Sequence, residues 1–304
     1  MTINKWLIHN TKSLQDKTVA ITGSTGGLGK QICMHLAKLN ANLLFLNRNK
    51  TKSETLKSQI LENYPNIKID LVEIDMQDTD SVKSACETLK KIDIDILILN
   101  AGALNLSRQK SSLGYDNVFQ VNFISPYFLT KQLLPQLTQK KDSKIVAVGS
   151  IAHKYATLNE KDVDYTNETN GQKVYGNSKR FLMYSLYELF KKETKLKLSV
   201  VHPGITQTNI TSNYPKILQP IIKLSMKLIY SSPKKAALSI INGIFTNTEH
   251  STWIGPKFKN IWGYPKKSKL NSCSVDESKK IFKIAESIYK AMTKKQTESA
   301  KNKS

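Results

Sequence analysis

The chain has 304 residues, enough to bury a full hydrophobic core, and shows no internal repeat. Its 46 Lys and Arg against 24 Asp and Glu give a formal charge of +22. Only three of these cations are arginines and the lysines are spread along the predicted helices, which disfavours a dedicated nucleic-acid patch. The three cysteines lack CxxC or Cys/His ligand spacing, so the sequence predicts no metal site and a reduced, cytoplasmic chain.

The N-terminal extension, residues 1–16, contains no long apolar run, so we expect neither a signal peptide nor a spanning helix there. Apolar, β-branched runs then recur at intervals that leave room for helices between them. These runs occupy 17–22, 41–47, 68–75, 93–100, 143–150 and 197–204. Helical patterns occupy 30–39, 52–64 and 81–92, the last with Asp78 or Thr79 as its N-cap. The alternation predicts a single-domain α/β fold: a Rossmann-like, doubly wound parallel sheet with helices on both faces.

The pattern changes after residue 204. Residues 215–230 form an amphipathic stretch that is either a lid over a substrate cleft or a helix lying on a membrane surface. Residues 251–255 are predicted to be a last edge strand and 274–292 a C-terminal helix that closes the domain spanning 17–292. A disordered tail, 293–304, is expected to follow.

The stretch "TGSTGGLG", residues 22–29, lies between the first strand and the first helix of the alternation. Gly23, Gly27 and Gly29 let the backbone turn sharply and approach a ligand. The free N–H groups at the start of the helix would face a phosphate.

A second motif, "YGNSK", places Tyr175 and Lys179 on one face of a helix. An ammonium beside a phenol is expected to lower the tyrosine pKa and make Tyr175 a proton donor and acceptor. Ser150 ends a predicted strand at the sheet edge, and Asn122 lies inside a helical pattern, where Asn is unfavourable without a task. Singly, these residues are equally explained by packing, a helix cap or a backbone hydrogen bond.

Together the motifs resemble the classical short-chain dehydrogenase/reductase family, over about residues 17–254. The resemblance covers the glycine loop, the "NAG" motif at 100–102, the "HPGITQT" segment at 202–208 and a catalytic tetrad of Asn122, Ser150, Tyr175 and Lys179. It implies that Tyr175 protonates a carbonyl oxygen that Ser150 holds, that Lys179 also grips the nicotinamide ribose, and that Asn122 holds a proton-relay water. Thr208 would bond the carboxamide and Asp75 would contact adenine. The implied cofactor-binding set is Gly23, Ser24, Gly27, Leu28, Gly29, Asn47, Arg48, Asp75, Met76, Asn100, Ala101, Gly102, Tyr175, Lys179, Pro203, Gly204 and Thr208.

The choice of cofactor depends on the end of the second strand. An NAD-binding site needs a carboxylate there for the ribose 2′-OH, and the chain reads Asn47-Arg48-Asn49. Arg48 offers a planar cation for a 2′-phosphate, so NADP(H) is predicted, with NAD(H) the alternative if Arg48 is only a solvated surface residue.

The predicted function is oxidoreduction between an alcohol and an aldehyde or ketone. The 25 positions from Ser150 to Tyr175 and the stretch "WIGPKFKNIWGYPKK" resemble the retinol-dehydrogenase-like and WW-domain-oxidoreductase-like branch, which implies a lipophilic small-molecule substrate. The family also implies a homodimer or homotetramer. Three alternatives stay open: a catalytically silent NADP(H) sensor, a nucleic-acid or membrane binder, and a nucleotide-sugar epimerase.

Overall fold

The computed structural model describes residues 1–104, 106–191, 196–205, 232–249, 251–270 and 272–301, with side chains described through 294. The strands are β1 (Thr18–Thr22), β2 (Asn42–Asn47), β3 (Ile69–Glu73), β4 (Ile96–Leu99), β5 (Lys144–Val148), β6 (Lys197–Val201), β7 (Thr252–Phe258) and β8 (Trp262–Lys269). The helices are α1 (Ile3–Asn10), α2 (Gly27–Lys38), α3 (Lys50–Leu61), α4 (Thr79–Leu89), α5 (Asn117–Phe119), α6 (Ser125–Gln139), α7 (Gly171–Phe190), α8 (Pro233–Phe245) and α9 (Val275–Lys301). A π-helical turn, Gln120–Ile124, joins α5 to α6, and a 3₁₀ helix, Ile151–Tyr155, follows β5.

The described strands form one sheet in the order β3-β2-β1-β4-β5-β6-β7-β8. β1 to β7 pair in parallel and β8 pairs antiparallel to β7. The strand order reverses between β1 and β4, and a ligand crevice opens at the carboxyl ends of the strands at such a point. The predicted doubly wound parallel sheet is therefore confirmed.

Alternate residues of each strand enter two separate hydrophobic layers. Val19 and Ile21 of β1 pack in one layer with α2 and α8, whereas Ala20 packs in the other with α4, α6 and α7. Both faces of the sheet are covered, which is why the strands read as continuous apolar runs rather than as alternating patterns. Asp78 is the N-cap of α4, and its side chain accepts a hydrogen bond from the backbone N–H of Asp80.

The two ends of the chain are more ordered than the sequence patterns indicate. Trp6 and Leu7 of α1 are buried in the layer that contains α2 and α8. The C-terminal helix, expected to end at 292, continues to Lys301, so most of the tail predicted to be disordered is helical. The residues after 292 include neither Pro nor Gly, so nothing in them stops the helix. The segment 215–230 lies outside the described residues.

The expected edge strand, 251–255, is an interior strand. β7 covers this stretch and is flanked by β6 and by β8. β8 escapes detection because its sequence, "WGYPKKSK", is rich in Lys and contains Pro, as is usual for an edge strand that must not pair further.

Candidate active site

The glycine loop follows β1 and opens α2. Gly23 has φ +68°, and a Cβ on Gly29 would lie only 2.1 Å from the carbonyl oxygen of Gly23. Gly26 is the N-cap of α2 and supplies no side-chain hydrogen bond, so the first-turn N–H groups stay available to a ligand. A backbone cradle of this shape fits the pyrophosphate of a dinucleotide.

The side chains of Asn47 and Ser24 are hydrogen-bonded to each other beneath the surface of the glycine loop. Asn47 donates from Nδ2 to Ser24 Oγ at 2.6 Å and to Ser53 Oγ at 2.9 Å. Its Oδ1 is buried and has no hydrogen-bond partner among the described protein atoms. Ser24 is fully buried and does not line the cavity, whereas Asn47, which donates to it, does.

The segment after β4 is bonded to the same loop. Asn100 donates from Nδ2 to the carbonyl oxygens of Thr22 and Gly23, at 3.0 and 3.1 Å. Ala101 donates from its backbone N–H to Thr22 Oγ1 at 2.9 Å. These bonds join the "NAG" segment to the end of β1 and hold the floor of the crevice in one conformation.

At the other end of the crevice, Arg48 follows β2 and Asp75 follows β3. The guanidinium Nη1 lies 3.9 Å from Asp75 Oδ2, and both side chains are partly exposed. Lys52, in the first turn of α3, lines the same cavity. Two cations and one carboxylate therefore line this end of the cavity.

The tyrosine, lysine and serine converge on the crevice from two elements. Tyr175 and Lys179 are on α7, and Ser150 follows β5 and caps the 3₁₀ helix, accepting from the Ala152 N–H at 3.2 Å. The Tyr175 hydroxyl is hydrogen-bonded to Ser150. Lys179 is buried, donates from Nζ to the Val148 carbonyl at 2.9 Å, and lies 5.9 Å from the centre of the Tyr175 ring.

The expected lowering of the Tyr175 pKa by Lys179 is wrong. Burial raises the pKa of Tyr175 above its ordinary value, and the hydrogen bond with Ser150 only partly offsets that rise. Burial also lowers the pKa of Lys179 to about 8. Desolvation, which sequence spacing does not reveal, is the largest influence on the pKa of each group.

Asn122 lies in the π-helical turn and does not reach the cavity surface. Its Oδ1 accepts from the Ala103 N–H at 2.9 Å, and its Nδ2 donates to the Ala103 carbonyl at 2.8 Å. A Cβ on Gly102 would lie 2.8 Å from Asn122 Oδ1 and 3.2 Å from Lys179 Nζ. By these two hydrogen bonds to the Ala103 backbone, Asn122 therefore fixes the segment that lies against Lys179.

These groups enclose one cavity of about 620 Å³. The expected site residues that line it are Gly23, Gly27, Leu28, Gly29, Asn47, Arg48, Asp75, Met76, Asn100, Ala101, Gly102, Ser150, Tyr175, Lys179, Pro203 and Gly204. Thr208 lies outside the described residues. The crevice thus gathers residues from seven separate stretches of sequence.

Sequence reasoning missed several lining residues: Thr25, Gly26, Asn49, Lys52, Gln77, Leu106, Val121 and His202. Lys52 was signalled by its place in the first helical turn after Arg48. His202 opens the "HPGITQT" segment but was not itself expected to line the site; its ring is buried and stacks on Trp253 with centroids 5.1 Å apart, and burial lowers its pKa to about 3.

Comparison with known proteins identifies the class. The family model for short chain dehydrogenase matches residues 17–217, and the chain belongs to this family. It is therefore an oxidoreductase of alcohols and carbonyl compounds that uses a nicotinamide cofactor and a small-molecule substrate.

The individual relatives share about a quarter to a third of their aligned residues with this chain. The chain is 27% identical to mouse retinol dehydrogenase 14 over 244 residues, which are 75% of this chain and 73% of the relative. It is 27% identical to human polyprenol dehydrogenase over 241 residues, 76% and 73% of the two chains. An uncharacterized oxidoreductase of Schizosaccharomyces pombe is 30% identical over 237 residues, 73% and 70% of the two chains.

Solved structures share the fold. A protein from Mycobacterium paratuberculosis matches with a TM-score of 0.74 and 21% identity, over 93% of this chain and 96% of that one. L-sorbose reductase from Gluconobacter frateurii matches with a TM-score of 0.59 and 17% identity, over 78% and 97%. Within the described part of the chain, no helix combines the length and apolarity needed to cross a bilayer. The same residues contain no group of three His, Cys, Asp or Glu side chains placed to hold a metal ion.

Proposed function

We propose that this protein is an NADP(H)-dependent oxidoreductase that interconverts a lipophilic alcohol and its aldehyde or ketone, with Tyr175 as general acid and base. The observation that carries the proposal is that Tyr175, Ser150 and Lys179 line the same cavity of about 620 Å³ as the glycine loop. When bound, the nicotinamide would supply or accept the hydride. The chain's own residues would hold the substrate oxygen and move its proton.

The reducing direction suits the protonation state of Tyr175. Because burial raises its pKa, the phenol carries its proton at neutral pH and can donate it to a carbonyl oxygen. The Ser150 hydroxyl would donate a second hydrogen bond to that oxygen. The phenolate left behind would lie near the Lys179 ammonium, and Asn122 would act by holding the 100–103 segment beside that lysine.

The preference for NADP(H) is supported by the charges at the adenosine end. Arg48 and Lys52 line the cavity there, and the end of β2 offers no carboxylate to a ribose 2′-OH. Calorimetric titration should show tighter binding of NADPH than of NADH. The double variant Arg48→Ala, Lys52→Ala should lose roughly 10- to 100-fold in NADPH affinity, with little change for NADH.

Lys50 provides a matched control for that experiment. It begins the same helix, is exposed, and does not line the cavity, so Lys50→Ala should leave both affinities unchanged. Equal or better binding of NADH by the wild-type protein would contradict the assignment of the 2′-phosphate to Arg48 and Lys52.

A lipophilic substrate is supported by the names of two relatives, retinol dehydrogenase 14 and polyprenol dehydrogenase, and by Leu106 and Val121 in the cavity wall. The test is kcat/KM with NADPH across straight-chain aldehydes of increasing length. Each buried methylene should raise kcat/KM about fourfold until the pocket is filled. A flat series would contradict the lipophilic class, and absence of turnover on any carbonyl would favour the NADP(H) sensor.

We also propose a homodimer or homotetramer in the reducing cytoplasm. The family resemblance supports the oligomer, and three unpaired cysteines, Cys33, Cys86 and Cys273, support the compartment. Light scattering on the protein as it elutes from a size-exclusion column would give the mass of the assembly. The mass of a single chain would contradict the proposed oligomer.

A further inference from the structure

The tip of the β7–β8 hairpin, residues 257–262, exposes two aromatic side chains. Phe258 is 46% exposed and Trp262 is 52% exposed. Their rings stack with centroids 4.4 Å apart and planes 21° apart, so together they form one continuous apolar surface. Large aromatic side chains paired in solvent mark a contact site more often than scattered single ones do.

The hairpin tip lies at the carboxyl edge of the sheet, on the side of the active-site cavity. The last residue of β7 paired to β6 is Ile254, opposite Val201. Phe258 is four residues further along, about 13 Å beyond that pair at strand spacing. The tip also contacts the cavity wall, because Ile205 donates from its N–H to the Ile261 carbonyl and a Cβ on Gly204 would lie 2.6 Å from that oxygen.

The charged residues of the hairpin itself are all lysines. The sequence from 250 to 275 contains no Asp or Glu, and its five lysines are Lys257, Lys259, Lys266, Lys267 and Lys269. All five are exposed. Lys267 forms an ion pair with Glu249, and Lys257 lies 5.6 Å from the centre of the Phe258 ring. The hairpin therefore presents an aromatic surface within a cationic field.

We propose that the hairpin tip docks this protein onto the surface of an anionic lipid bilayer. Trp and Phe favour the interfacial layer of a membrane, and lysines beside them are attracted to acidic headgroups. The consequence for catalysis rests on the proposed function: a cavity whose rim lies on the bilayer could take a lipophilic carbonyl compound directly from it.

Two other occupants fit less well. A second copy of the chain would be expected to pair along β8, but Pro265 and the lysines of this strand oppose such pairing. A single-stranded nucleic acid would stack its bases on open aromatic faces, whereas Phe258 and Trp262 stack on each other.

The experiment uses the purified full chain without cofactor or substrate, mixed with vesicles of phosphatidylcholine alone or with roughly one phosphatidylserine in three. Binding is measured by co-sedimentation and by tryptophan emission. Trp262 reports locally, because Trp6 and Trp253 are only 3% and 1% exposed and these are the chain's three tryptophans. We expect co-sedimentation and a blue shift with the anionic vesicles only, both weakened by salt.

Variants separate the two contributions. Lys257→Gln, Lys259→Gln should weaken binding to anionic vesicles roughly 25-fold, about fivefold for each lysine. Phe258→Ser, Trp262→Ser should weaken it at least about tenfold. Matched controls are Lys91→Gln, Lys141→Gln and Tyr155→Ser, exposed residues of the same kinds elsewhere, which should bind as the wild type does.

The outcomes distinguish this proposal from the proposed function. Failure to bind anionic vesicles, or equal loss in the controls, would overturn the membrane proposal. Binding of RNA that is lost in the lysine variant and kept in the aromatic variant would also overturn it. So would a different oligomeric mass of the aromatic variant, because that would show that the tip contacts a second copy of the chain. Turnover of a short, water-miscible aldehyde should be unchanged in Phe258→Ser, Trp262→Ser, so loss of vesicle binding leaves the enzymatic proposal untouched.

Discussion

The cofactor side of the crevice and the catalytic side are built in different ways. On the cofactor side, residues 18–102, the glycine loop is shaped by its own backbone, and Asn100 and Ala101 of the "NAG" motif bond to Thr22 and Gly23 at its start. On the catalytic side, the helix that carries Tyr175 and Lys179 is fixed by side chains from the far end of the chain. The first kind of construction is readable from a local motif, and the second is not.

The long-range network on the catalytic side centres on Arg180, next to Lys179. Its buried guanidinium donates to both carboxylate oxygens of Glu277, at 2.7 and 2.6 Å, and to the backbone carbonyls of His153 and Ser272. His153 in turn is bonded to the Ser150 carbonyl and to Ser272 Oγ, each at 2.5 Å. The start of α9 thus holds the elements that present Ser150 and Lys179.

The largest effect is expected from filling the backbone cradle. Gly29→Val would place a side chain 2.1 Å from the Gly23 carbonyl oxygen, so measurable NADPH binding should be lost and the free energy of unfolding should fall by about 1–3 kcal/mol. Calorimetry and denaturant titration measure the two effects. Gly171→Ala, where a Cβ meets nothing within 4 Å, is the control and should change neither. NADPH binding by Gly29→Val at wild-type affinity would contradict the assignment of residues 22–29 as the loop that binds the pyrophosphate.

Breaking the Arg180–Glu277 pair should affect the other side. Arg180→Leu removes the guanidinium that donates to both carboxylate oxygens of Glu277, and we expect a loss of about 2–3 kcal/mol in the free energy of unfolding. The value kcat should fall while NADPH affinity stays near that of the wild type, because Arg180 contacts neither the glycine loop nor Arg48. Steady-state kinetics and calorimetry on the same preparation measure this split.

An ion pair on the same C-terminal helix serves as the comparison. Lys280 and Glu160 are both more than half exposed, so Lys280→Ala should cost less than about 1 kcal/mol and leave kcat unchanged. If Arg180→Leu changed the free energy of unfolding and kcat as little as Lys280→Ala does, the Arg180 network would not be what positions Ser150 and Lys179.

A smaller effect concerns pH. Burial lowers the pKa of His153 to about 4, below its ordinary 6.5. Between these values the unfolded chain binds the proton and the folded chain does not, so this group makes stability rise from pH 4 to 6.5 and fall on acidification. His153→Asn should reduce that slope by up to about 1.4 kcal/mol per pH unit. Denaturant titrations between pH 4 and 6.5 measure this slope, with His9→Asn on the exposed face of α1 as the control. If the free energy of unfolding of His153→Asn had the same pH slope as the wild type, the assignment of a buried, neutral His153 ring would be contradicted.

The same contrast explains how far sequence reasoning reached. The doubly wound parallel sheet, the glycine loop and the meeting of Tyr175, Lys179 and Ser150 follow from periodicity, motif spacing and the convergence of parallel strands at one edge. The direction of the Tyr175 pKa and the buried place of Ser24 did not follow, because both depend on tertiary burial. Arg180 and Glu277, 97 positions apart, carry no local pattern that links them. β8 was missed because an edge strand rich in Lys lacks the apolar signature of the others.

The most direct test of the central claim is to compare Tyr175→Phe with the wild type for NADPH affinity and for kcat on a carbonyl substrate. We predict unchanged affinity and a kcat about 10²- to 10⁴-fold lower, with Tyr155→Phe, outside the cavity, as active as the wild type. Wild-type turnover in Tyr175→Phe would contradict the account, because the proton would then come from another group.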